Sequence, residues 1–92
     1  MEQTWEENPN WCNLEKPEAG DIIQLKHTSG FHHLVKVIVS SVKDDELTGV
    51  VEAVFDWYTK GEITGGAMFD FVGKELTFKT MMVHRVIKKP VT

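Results

Sequence analysis

Residues 34–39 read Leu-Val-Lys-Val-Ile-Val, a run so rich in β-branched side chains that an extended strand accommodates it far better than a helix. A period of two sends Val35, Val37 and Val39 to one face and Leu34, Lys36 and Ile38 to the other. Both faces then carry apolar groups. This strand, from His32 to about Val42, is therefore predicted to be partly covered on both sides and to lie at the centre of its sheet.

The flanking segments follow from that strand. The turn signal Gly20-Asp21 opens a β-branched run, Ile22–His27, and the break at Thr28-Ser29-Gly30 reads as the hairpin turn into the central strand. After the polar turn Lys43-Asp44-Asp45 the period of two resumes over residues 47–57. Leu47, Gly49, Val51, Ala53, Phe55 and Trp57 are expected together on the inner face, with Tyr58 outward, and Gly49 is expected to mark a bulge or a bend. Between Tyr58 and Gly73 the pattern is interrupted by Lys60-Gly61 and Thr64-Gly65-Gly66, and residues 67–72 fit either a short strand or one helical turn. Two further strands are predicted, Glu75–Lys79 and Val83–Ile87, separated by Thr80-Met81-Met82.

Five short strands predict a mostly-β fold, a small five-stranded antiparallel barrel, with a small α+β open sheet as the alternative. The order of these signals resembles SH3-like barrels over residues 20–88: Gly-Asp opens strand one, a long hairpin joins strands two and three, and Gly-Lys-Glu-Leu-Thr-Phe precedes Val-His-Arg-Val-Ile. The resemblance implies a fold and no particular activity, because such barrels host unrelated binding functions.

Ahead of the strands, residues 1–19 contain two prolines, several asparagines and no sustained period, and read as an irregular, acidic, tryptophan-containing arm to a single β domain at 20–92. Trp5 and Trp11 are too large to leave in water cheaply, so the arm is expected to pack on the body or on a partner. A chain of 92 residues with 41% apolar and 26% charged residues supports one core. A single cysteine, Cys12, allows neither an internal disulfide nor a zinc site of paired thiolates. With an acidic start and no long apolar run, the expectation is a cytoplasmic protein that does not contact membrane.

Charge is uneven. Residues 1–19 hold five glutamates against one lysine, and residues 74–92 hold four lysines and Arg85 against Glu75, within an overall net charge of −4. This polarity suggests two binding surfaces. Trp5 and Trp11, with Tyr58, Phe69 and Phe71 in the least regular segment, suit a protein partner, since aromatic residues dominate interface hot spots. Lys74, Phe78, Lys79, Arg85, Lys88 and Lys89 suit nucleic acid or a small ligand, although a solvated edge strand guarded by lysine explains them more simply. The Glu-rich arm with Asp44, Asp45 and Glu46 suits an acidic mimic of nucleic acid.

His27, His32 and His33, with Cys12 or His84, are the only metal-ligand types that gather in sequence, but neighbouring residues of a strand face apart, so no metal site and no cofactor is expected. Asp56, Glu62 and Asp70 form no recognisable acid–base pair, and no nucleophile, phosphate-loop or metalloprotease motif occurs. The expectation is a non-catalytic binding or regulatory module that engages a protein partner through the aromatic arm and adjoining face. Pairing of exposed sheet edges in a homodimer is compatible with it.

Overall fold

A computed structural model describes residues 5–28 and 32–89. The predicted turn at 28–30 thus lies largely outside the described residues. Five antiparallel strands form one sheet in the order β4-β3-β2-β1-β5, where β1 is Ile22–His27, β2 His33–Lys43, β3 Glu46–Asp56, β4 Glu75–Lys79 and β5 Val83–Ile87. β2 stands at the centre, as its two-sided apolar pattern requires. Residues 67–71 form a 3-10 turn, as do Trp11–Asn13 and Thr80–Met82; there is no α-helix among the described residues, and none long and apolar enough to cross a membrane.

Register places Ile23, Val37 and Val51 side by side, and Leu25, Val35 and Val54 beside them. All six are buried, together with Val39, Leu47, Phe78 and Val83. Burying an aliphatic side chain of this size stabilises by roughly 1.5–3 kcal/mol, so this inner face supplies most of the driving force.

Three bulges bend the sheet around that core. Ser40 is the extra residue in β2, Glu52 in β3 and His84 in β5, and each adds local twist. The bulge at Glu52 also overturns one expectation. Beyond it the alternation is inverted, so Val54 points inward while Phe55 and Trp57 lie half-buried on the outer face. Tyr58 is outward as predicted, 71% exposed. β4 and β5 are joined by only Thr80–Met82 yet sit at opposite edges. They do not pair, so the strongly curled sheet is not closed.

The arm lies along the β5 side of that opening. Trp5 bridges to His27, Glu6 N–H donates to the Lys26 carbonyl at 2.9 Å, and Asn8 donates from its backbone to Met81 (2.9 Å) and from its side chain to Val83 (3.1 Å). The arm therefore continues the line of β5 along the far half of β1.

A buried carboxylate ties both chain ends together. Asp21, 2% exposed, accepts hydrogen bonds from Lys88 Nζ at 2.8 Å, Glu18 N–H at 2.9 Å and Lys89 N–H at 3.1 Å. Burial alone would raise its pKa, but these three donors and the Lys88 charge hold it below the ordinary carboxylate value. Lys88 is raised in turn, chiefly by the same hydrogen bond.

Gly49 sits where β3 passes tightly over β2. A Cβ there would fall 2.5 Å from both the Ile38 carbonyl oxygen and Val37 Cγ1, and backbone cannot move aside without breaking the ladder. Gly49→Ala is expected to cost roughly 1–3 kcal/mol, the usual range for overpacking, measured by urea unfolding. Unchanged stability would show that the strands do not approach this closely.

Candidate functional site

Of the aromatic residues singled out from the sequence, Trp5 and Phe71 lie at one end of the curled sheet and Trp11 at the other. At the first, His27 and His33 are register partners on the inner face, 6.5 Å between ring centroids. Trp5 packs edge-on against His27 at 5.1 Å and Phe71 lies 5.8 Å away from it. Trp5 and Phe71 are themselves in contact range at 6.5 Å and both pack on the core. This cluster completes the fold at an end that five short strands leave uncovered.

The Nδ1 atoms of His27, His32 and His33 are buried and have no hydrogen-bond partner among the described residues. His32 turns away from the pair and meets the Tyr58 ring at 5.6 Å. Among the described residues no three of His, Cys, Asp and Glu gather into a group that could hold a metal ion. Burial, reinforced by the neighbouring His33, lowers the pKa of His27.

At the other end, Trp11 roofs a cleft of about 360 Å³ whose walls are Leu14, Pro17, Val42, Leu47, Val83 and Val86. Trp11 is 39% exposed. It is held by a 3-10 turn in which Asn8 Oδ1 accepts from Asn10 N–H and the Trp11 carbonyl accepts from Leu14 N–H. Glu15, Asp44 and Asp45 border the cleft with Lys16 and Thr80. Asp45 is partly neutralised by Lys79 at 3.6 Å, whereas Glu15 and Asp44 have no cation within 4.0 Å among the described residues. The result is an apolar slot with an acidic rim.

Trp5 and Trp11 thus lie apart, one in the core cluster and one over the cleft, and Tyr58 and Phe69 are exposed elsewhere. Tyr58 is set by Asp56, whose carboxylate accepts from Thr59 N–H and Tyr58 N–H at 2.9 Å each; those bonds lower the Asp56 pKa.

The basic set is also dispersed. Phe78 is buried opposite Leu47, so its ring offers no stacking surface. Lys88 is committed to Asp21 and Glu18, Lys79 to Asp45 and Glu46, and Lys89 folds back to the Ala19 carbonyl. Lys74 adjoins β4 and Arg85 sits on β5, at opposite edges of the sheet. Some of the acidic residues are matched in the same way, Glu6 to Lys26, Glu18 to Lys88 and Glu46 to Lys79.

Reading by sequence missed two groups. Leu14, Pro17 and Val42 carry no motif, and only the fold brings them under Trp11. Lys26, Lys36 and Lys60 were dispersed in the chain, yet Lys26 and Lys60 both lie over the Trp57 ring, at 4.7 and 4.6 Å, and Lys36 over Phe55 at 5.1 Å. Lys26 and Lys36 follow the alternation with the buried residues of β1 and β2, which was a usable signal, whereas Lys60 lies beyond the end of β3; the bulge that turned Phe55 and Trp57 toward them was not.

Because the folded state disfavours the charged form of His27, the unfolded chain takes up the proton first as pH falls through its ordinary value near 6.5. Stability should therefore fall between pH 7 and pH 5, and His27→Phe should flatten that slope; a wild-type slope of zero over this window would contradict the burial of His27. Set against known proteins, the chain matches no family model, no curated protein and no solved structure, so these residues themselves have to say what it does.

Proposed function

We propose that this chain is a non-catalytic adaptor built on an SH3-like barrel, and that it takes a segment of a protein partner in the cleft beneath Trp11. The barrel reading is supported by the strand order, in which β1 to β4 each neighbour the next in sequence and β5 returns to pair with β1. The observation that carries the binding reading is the cleft itself: about 360 Å³ of apolar space, roofed by a half-exposed tryptophan. That volume suits one or two apolar side chains, and tryptophan at the rim of a desolvated pocket is the residue type that contributes most to interface affinity.

The acidic rim selects the partner's chemistry. Glu15 and Asp44 attract a segment in which the apolar anchor is flanked by lysine or arginine, and such complementarity governs approach and register more than raw affinity.

The test is affinity capture from lysate of the source cells after nuclease treatment, with the wild type and Trp11→Ala side by side. A protein retained by the wild type and reduced at least about tenfold by the substitution, with the melting temperature changed by only a few degrees, is the expected result. Trp5→Ala, by contrast, should destabilise by roughly 3 kcal/mol or more. Recovery that disappears with nuclease, or that is indifferent to Trp11→Ala, would overturn the proposal.

A further inference from the structure

The outer face of the sheet, remote from the inner core and independent of the Trp11 cleft, is arranged in rows. Ile87, Ile22, Ile38 and Val50 are register partners across four adjacent strands. Ile38 and Val50 are 41% and 39% exposed. With strands about 4.8 Å apart, this apolar row is about 14 Å wide. About 6.6 Å away, two residues further along β5, β1 and β2 and three along β3, where Glu52 is the bulge, lies a second row: Arg85, Gln24, Lys36 and Ala53. A third row follows with Lys26, Leu34 and Phe55.

The second and third rows enclose a cleft of about 350 Å³ lined by Gln24, Leu34, Lys36, Phe55, Lys60 and Arg85. Three cations converge on it. None of Lys36, Lys60 and Arg85 has a carboxylate within 4.0 Å among the described residues, although the chain carries a net charge of −4 and pairs Lys26, Lys79 and Lys88 elsewhere. Like charges gathered over an apolar floor repel one another, and an anion placed among them relieves that repulsion. The backbone supports a use for the charge. Lys60 adopts φ 64°, a left-handed conformation that glycine would take at lower cost. Its ammonium nonetheless stays over Trp57, whose carbonyl accepts a hydrogen bond from it.

We infer that this face docks an acidic, amphipathic segment of a protein partner, its apolar side chains on the Ile22–Ile38–Val50–Ile87 row and its carboxylates on Lys36, Lys60 and Arg85. The row of aliphatic residues decides between a peptide and a nucleic acid. Bases stack on open aromatic faces, but here Lys36 lies over Phe55 and Lys26 and Lys60 lie over Trp57, while isoleucine and valine offer no stacking surface. An amphipathic segment uses both rows. Glu75, opposite Val50, and Glu62, opposite Phe55, border the β3 side, so the partner's carboxylates must lie over β2, β1 and β5.

The probe is a capped helical peptide with leucine at positions i, i+3, i+4 and i+7 and glutamate elsewhere, titrated into the ¹⁵N-labelled full chain. A peptide with lysine for glutamate and a ten-nucleotide oligothymidylate are titrated alongside at the same ionic strength. The glutamate peptide should shift the amides of Gln24, Lys36, Ile38, Val50 and Arg85. Binding should weaken about tenfold or more in K36E/R85E, weaken with added salt, and be unaffected by Trp11→Ala. The neutral variant K36Q/R85Q, which keeps the stems of both side chains, should show an intermediate loss and serves if charge reversal disturbs folding. Preference for the lysine peptide or the oligonucleotide, shifts confined to other residues, concentration-dependent shifts of the same amides without any probe, or no response to the glutamate peptide would each overturn the assignment.

Discussion

β4 and β5 stand at opposite edges of the sheet, yet the four peptide units from Lys79 to Val83 can separate them by about 14 Å at most. That short tether obliges the sheet to curl, and the bulges at Ser40, Glu52 and His84 are where the curl is taken up. Once curled, one face of every strand turns inward onto Ile23, Leu25, Val35, Val37 and Val54, and the other is left with whatever the alternation and its inversions place there. The inner face therefore sets the stability, and the outer face and the open ends are available for recognition.

Closing the remaining gap falls to the chain ends. Trp5 covers the His27 and Phe71 end, Asn8 bonds to Met81 and Val83 at the start of β5, and Asp21 draws Glu18, Lys88 and Lys89 into one network. An ion pair with one buried member adds little by itself, but Asp21 also satisfies two backbone N–H groups at the place where the arm and the C-terminal segment meet. Acidic arm and basic tail thus meet each other, which accounts for much of the polarity visible in the sequence without a partner.

The strands were legible because their signal is local. Ile22–His27 and Val83–Ile87 are rich in β-branched residues, Glu75–Lys79 alternates polar and apolar side chains after the turn at Gly73, and the alternation of Val35, Val37 and Val39 fixed the buried face of β2. Phe55 and Trp57 were misplaced because a one-residue bulge at Glu52 inverts everything after it, and nothing in the residues Val51-Glu52-Ala53 announces it. Gly49 pointed to the right region, although the extra residue opposite it is Ser40 in β2. The proposed binding surfaces were less legible than the fold. Trp11 was identified, but its cleft depends on Pro17, Val42 and Val86 arriving from three separate segments, and the cationic row depends on register between β1, β2 and β5.

The arm is bonded to the sheet and its Trp5 packs against the core, while Trp11 and the outer face are the surfaces we propose for partners. Amide hydrogen exchange on the full chain tests this most directly. The amides of Glu6 and Asn8, bonded to Lys26 and Met81 at 2.9 Å each, should exchange with protection comparable to β1. Exchange of both at the rate of an unstructured chain, with β1 and β2 still protected, would contradict it.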